Sequence, residues 1–201
     1  MSELRDYIRF SSTNPAFDFS FLYPASWQAR EVKTAEGDEV SIIGPRNRDN
    51  TYSVGLAIRV ISMVEGGRRY TSLEELVAAH LARSKRAAKY QEILRAQGIV
   101  AGLDAIEIET SYSLPLPMQS IRPKDTVIVE RRVYLKRGNS FYELMYRAVE
   151  EDYYAYLDVF KDVVHTFLFR ADRVRMTHQP FVAQAVIRAM REKPSIYEED
   201  Q

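Results

Sequence analysis

His80, His165 and His178 are the only imidazoles in 201 residues, and the absence of cysteine removes thiolate ligands, cysteine nucleophiles and disulfides together. No two of the three stand at the i, i+4 spacing that places two ligands on one helix face, so the sequence assigns no metal site. His80 falls within an apolar helical stripe, where an imidazole with a satisfied hydrogen bond in the core explains it better than a ligand. Carboxylates gather in EGDE at 36–39, in EED at 150–152 and again at 198–200, and Glu107 and Glu109 share one face of a strand. Acid–base catalysis needs burial or a neighbouring like charge to bring a carboxylate toward working pH. Exposed strand faces and helix starts account for these clusters, so the chain is expected not to be an enzyme. A nucleophile elbow, a Ser-x-x-Lys set and a phosphate loop with its lysine are all missing, and no cofactor is implied. EGGRR at 65–69 reads as a surface loop whose arginines could meet an anion.

Lys plus Arg and Asp plus Glu both total 28, so no global field draws the chain to nucleic acid or an anionic membrane. The stretch ERRVYLKRGNSFYELMYR interleaves basic and aromatic residues. Strand alternation, however, puts Arg132, Tyr134 and Lys136 on one side and Val133 and Leu135 on the other, the expectation for a solvated sheet face rather than a nucleic-acid surface. Hydrophobic residues at 46% and charged residues at 28% describe an ordinary soluble domain. The opening MSELRDYIRFSS has no basic and apolar regions of a secretory signal, and no run is long and uncharged enough to span a bilayer, so a cytoplasmic address is expected.

The elements that must position these groups follow from period. Phe17, Phe19, Phe21 and Tyr23 alternate up to Pro24, predicting a first strand with a buried aromatic face, and Trp27 follows. AREVKT and DEVSIIGP, joined by AEGD, predict a hairpin. TYSVGLAIRVISM places Tyr52, Val54, Leu56, Ile58 and Val60 on one face of a central strand, with Gly55 and Ala57 leaving the other face thin enough for a helix to approach. Leu73, Leu76, Val77, His80, Leu81 and Ser84 then form a helical stripe behind a Ser72–Glu75 capping box. Two further strands meet near Gly102, the second with Ile106, Ile108, Thr110 and Tyr112 on one side. LPLPMQSIRPKD reads as a surface loop because proline has no ladder donor. TVIVERRVYLK and SFYELMYRAV form a hairpin over Gly138-Asn139, with Arg131 an odd member of the apolar face of Val127, Val129, Val133 and Leu135. A closing helix carries Tyr153, Tyr156, Leu157, Phe160, Val164 and Phe167.

Strands, helix, strand hairpins and helix in this order predict an α+β fold, a central antiparallel sheet flanked by helices. The aromatic strand ending in YP and followed by W, the helix opening YTSLEELV, the ERRVYLKRGNSFYELMYRA hairpin and the closing YLDVFKDVVHTFLF together resemble the PsbP-like family over roughly residues 15–170. The wider fold of that family includes a nuclear-import factor that binds the Ran GTPase and bacterial proteins of unknown role. The resemblance implies an α/β/α sandwich and a non-catalytic protein-binding or assembly module. Residues 1–14 are expected as a lead-in and 171–201 as a C-terminal extension with a short helix and polar tail.

Within that extension Phe181, Val182, Ala185, Val186 and Ala189 form an apolar stripe, which either packs on its own sheet or makes a homodimer. The expected partner-binding residues are Arg122 and Lys124 in the proline loop and Phe181, Val182 and Val186 in this helix. A protein partner is expected, with no nucleic acid and no membrane span. The competing reading is a small-molecule pocket between sheet and helix, polarised by Tyr112, Arg131 and Tyr146.

Overall fold

The structure, a computed structural model, describes residues 6–34, 37–65 and 68–171. In chain order its elements are β1 (Tyr7–Phe10), β2 (Phe19–Pro24), β3 (Gln28–Thr34), β4 (Gly37–Arg46), β5 (Ser53–Ser62), the short ribbon β6 (Val64–Glu65) and β7 (Arg68–Arg69), α1 (Leu73–Ser84), β8 (Ala88–Val100), β9 (Leu103–Leu116), β10 (Lys124–Arg137), β11 (Ser140–Val149), α2 (Glu150–Thr166) and β12 (Leu168–Phe169). The long alternating segments assemble as one antiparallel sheet in the order β3-β4-β5-β11-β10-β9-β8. The fold is thus α+β, with α1 on one face of this sheet and α2 on the other.

Turn chemistry fixes the registers. Ala101 and Gly102 both take positive φ, as a two-residue hairpin of the type I′ kind requires, and they set Val100 opposite Leu103. Between β10 and β11 Gly138 alone has positive φ, and Arg137 pairs with Ser140. At the start of α1 the Ser72 hydroxyl accepts from the Glu75 amide at 3.2 Å. The return bond runs one residue farther back than in a simple capping box, with the Glu75 carboxylate accepting from the Thr71 amide and hydroxyl, both at 2.8 Å.

The larger core lies on the α2 side. Phe17, Phe19, Phe21, Tyr23 and Trp27 are buried there with Leu56, Ile58, Leu135, Leu144, Tyr146 and the α2 residues Tyr153, Leu157, Phe160 and Val163. Phe19 and Phe167 stand 5.2 Å apart between ring centroids, and Tyr142 meets Phe169 edge to face at 5.0 Å. A second core beneath α1 unites Leu73, Leu76, Val77 and Leu81 with Ile106, Ile108, Tyr134 and Phe141. No described helix is long and apolar enough to cross a membrane.

Several expectations need correction. The lead-in contributes β1, which pairs with β2, while β12 pairs with the other edge of β2 to make a separate three-stranded sheet. Four- and two-residue strands carry too little alternation to be read in advance. The first aromatic strand begins at Phe19, with Phe17 buried just before it. Pro115 lies inside β9, opposite Asp125, because β8 pairs with β9 only as far as Ser113 and the ladder donor lost at Pro115 is on an open edge. Tyr52 precedes β5 and packs with Tyr112, Leu114, Leu116, Ile128 and Val149, away from Val54 and Leu56. Among the described residues no helix lies above Gly55 and Ala57, since α1 packs mainly on β9 and β10. The expected C-terminal helix, with Phe181, Val182 and Val186, lies outside the described residues, as does His178.

Candidate functional site

Cross-strand register lays out the α1-side face of the sheet in rows. The first row is Glu39, Arg59, Glu143, Tyr134 and Ile106 across β4, β5, β11, β10 and β9. The second is Ser41, Ala57, Met145, Arg132 and Ile108, and the third is Ile43, Gly55, Arg147, Glu130 and Thr110. Acidic and basic side chains therefore become neighbours on one surface although they are scattered over more than a hundred residues of sequence.

In the first two rows the charges neutralise one another. Glu143, 1% exposed, receives Arg132 Nη1 at 2.9 Å and Arg59 Nη1 at 3.2 Å, with His80 Nδ1 at 3.6 Å. Burial alone would push the Glu143 carboxyl up, but Arg132, the His80 hydrogen bond and Arg59 outweigh it and hold the pKa at about 2. Arg132 also donates from Nε to Glu130 at 2.6 Å and from Nη1 to the Tyr134 hydroxyl at 3.2 Å, and Arg59 reaches Glu39 at 3.2 Å. The Tyr112 hydroxyl donates to Glu130 at 3.4 Å. This face of β10 was expected to be solvated; instead Tyr134 and Glu130 are buried.

Beyond the reach of α1 no described residue covers the same face. Glu39, Ser41, Ile43, Tyr52, Ser53, Gly55, Ala57, Met145 and Arg147 line a cleft of about 260 Å³, with Glu39 paired to Arg59 and Ile43 38% exposed. Arg147 is exposed and lies across Gly55, where an added Cβ would come 3.5 Å from its Nε. Its cross-strand neighbour Glu130 is committed to Arg132 and Tyr112, and the Arg147 side chain has no hydrogen bond or ion pair among the described residues. Arg46, the register partner of Ser53, is exposed and equally without one among those residues. The Tyr52 hydroxyl is buried and has no hydrogen-bond partner among the described residues.

A second cleft, about 450 Å³, opens on the other side between α2 and the β8–β9 turn, lined by Ile99, Val100, Ala101, Glu107, Arg131, Phe160, Lys161, Val164 and His165. Arg131 is held there by Glu107 at 2.6 Å and Glu109 at 3.3 Å. Tyr153 donates to Glu109 at 2.7 Å, and Tyr146 donates to the Tyr153 carbonyl at 2.6 Å. Burial, then the bond to Glu109, raises the Tyr153 phenol above its ordinary range. Among the described residues no group of three or more His, Asp or Glu could hold a metal ion.

No protein-family model and no curated protein matches the chain. Solved structures do match. Cyanobacterial PsbP from Synechocystis sp. PCC 6803 aligns over 84% of this chain and 95% of its own, with TM-score 0.54 and 13% identity. LpqN, involved in cell envelope biogenesis of Mycobacterium tuberculosis, aligns over 82% and 91%, with TM-score 0.55 and 10% identity. The Ran-binding protein Mog1p of Saccharomyces cerevisiae aligns over 83% and 96%, with TM-score 0.52 and 8% identity. The chain has the PsbP-like fold.

On this PsbP-like sheet the expected pocket residues separate. Arg131 and Tyr146 face α2, whereas Tyr112 faces the α1 side with Glu130, because Tyr112 is opposite Ile128 and not opposite an odd-numbered position of β10. Glu107 and Glu109, expected on an exposed face, are Arg131's partners, and Glu109 is buried. His80 is buried against Tyr134 and Glu143, and His165 lines the α2 cleft. Arg122 is exposed in the loop after β9 and Lys124 opens β10, near the end of the sheet where Tyr52 packs. Sequence reasoning missed Arg147, Arg46 and Glu143. Gly55 beside Ala57 was the available signal, since a thin stretch of strand marks room above it.

Proposed function

We propose that the protein is a non-catalytic binding or assembly module that docks a protein partner on the open half of the α1-side sheet face. The observation that carries this reading is the exposed Ile43 beside Arg147 and Arg46, two arginines without partners among the described residues, next to a network in which every buried charge is paired. Interface cores favour such arginine and aromatic anchors at an apolar patch. Catalysis has less support, because Glu143 is held at about 2, far from the range of a general acid or base at neutral pH. Arg122 and Lys124, with Met118 and Ile121 exposed beside them, extend the same end of the molecule and belong to the proposed contact surface. The reading keeps the cytoplasm as the compartment, which cell fractionation tests.

The test is affinity capture from native lysate at modest salt with the wild-type chain and with a variant carrying Arg46→Glu and Arg147→Glu. A stoichiometric protein retained by the wild type and lost by the variant is expected; recovery of the chain alone would sink the reading. A light-scattering mass, compared between wild type and Val182→Asp, tests a homodimer through the segment containing Phe181, Val182 and Val186.

The cleft of about 450 Å³ beside Arg131 favours a second reading, a small-molecule site between sheet and helix. Thermal-shift screening of metabolites against the wild type and Val164→Trp separates the two readings. A ligand that raises Tm only in the wild type supports the second.

A further inference from the structure

We propose that the Arg147 cleft recognises an acidic segment of a partner protein, a carboxylate seating on the Arg147 guanidinium and an adjoining apolar side chain lying over Ile43, Ala57 and Met145. This rests on the protein-binding reading and names the chemistry of the partner. Arg147 is a planar fork of donors, the shape that grips a carboxylate through two parallel hydrogen bonds. Register leaves that fork free among the described residues: Glu130 stands directly across from it, yet its oxygens face Arg132 Nε at 2.6 Å and the Tyr112 hydroxyl at 3.4 Å. Gly55 supplies a floor without a side chain, on which Arg147 lies extended toward β4.

A second positive charge nearby favours an anionic oxygen. Arg46, opposite Ser53 beyond a bulge in β4, adds positive potential near the cleft without lining it. Tyr52 lines the same cleft, and its buried hydroxyl has no hydrogen-bond partner among the described residues. The cleft's size selects the occupant. At about 260 Å³ it falls below the usual ~300–1,000 Å³ of small-molecule pockets, while a carboxylate side chain and one apolar neighbour fit. A nucleic-acid strand would need a basic track, and the neighbouring rows instead alternate sign, from Glu39 through Arg59 to Glu143.

A random peptide library displayed and selected on the full chain tests the proposal. The expected result is enrichment of peptides carrying Asp or Glu beside Leu, Ile or Phe. Their affinity, read by fluorescence anisotropy, should fall about tenfold or more in Arg147→Gln and by a similar factor when the peptide's Glu becomes Gln, with no further loss when both are changed. Arg147 is exposed, so unchanged circular dichroism should accompany the loss. Enriched peptides without carboxylates, peptides indifferent to Arg147→Gln, or no enrichment at all would overturn the assignment. So would a single-stranded DNA oligonucleotide that binds as tightly and is lost in the same variant, which would give the cleft to phosphate. These outcomes reject the acidic occupant alone; the protein-binding reading falls only if the wild type captures no partner.

Discussion

Arg132 Nη1 lies 2.9 Å from Glu143 Oε1, and the same guanidinium places its Nε 2.6 Å from Glu130. One arginine thus bridges two carboxylates that arrive from different strands, both of them buried. Glu143 cannot be neutralised cheaply by water, so its charge depends on Arg132, Arg59 and His80.

The pH dependence of stability follows from Glu143. Its folded pKa of about 2 lies below the ordinary carboxylate value, so the stabilisation is full above roughly pH 4.5 and is lost as pH falls toward 2. Integrated over that span it amounts to about 3 kcal/mol. Urea denaturation from pH 7 to pH 2.5 should show Glu143→Gln markedly less stable at neutrality, with the gap to wild type closing in acid. A gap that stays constant with pH would contradict the network.

Arg132→Met and Arg147→Met make a matched pair. The first leaves Glu130 and Glu143 short of a partner and should cost about 3 kcal/mol, whereas the second removes an exposed charge with no partner among the described residues and should stay within about 0.5 kcal/mol. Urea midpoints measure both, and equal losses would argue that Arg147 has a structural role.

Four buried phenols should resist base. Burial raises Tyr134, Tyr142, Tyr146 and Tyr153, with Glu143, Asp18 and Glu109 adding to the effect at Tyr134, Tyr142 and Tyr153 respectively. A raised phenol stabilises the fold fully below the unfolded pKa of about 10 and ceases to do so as pH climbs above it. Absorbance titration should therefore show a group among the 13 tyrosines ionising only in a cooperative unfolding step, and Tyr153→Phe should shrink that step.

Two glycines should answer differently to alanine. At Gly44 a Cβ would stand 2.9 Å from three atoms of the Trp27 ring, itself buried against Tyr156, so Gly44→Ala should cost about 1–3 kcal/mol. At Gly55 the new contact, 3.5 Å to Arg147, is ordinary, and Gly55→Ala should be tolerated or slightly stabilising. Thermal unfolding distinguishes them, and a reversed order would mean that the Trp27 ring is free to move.

The order of elements, the buried aromatic face of Phe19, Phe21 and Tyr23, the cap at Ser72 and the hairpin at Gly138 were legible in the sequence, because each is set by alternation or turn chemistry within a few residues. Which strands lie side by side was not, since pairing β5 with β11 joins segments some eighty residues apart. That pairing converts apparently solvated charges into the Glu39–Arg59–Glu143–Arg132–Glu130 network, while the β9–β10 register parts Tyr112 from Arg131 and Tyr146. It also lays Arg147 over Gly55, without a partner among the described residues. Local sequence determined which residues form strands and which side of each strand is apolar. Tertiary structure alone decided which charges meet, because a salt bridge depends on distance in space, and register between distant strands is what sets that distance.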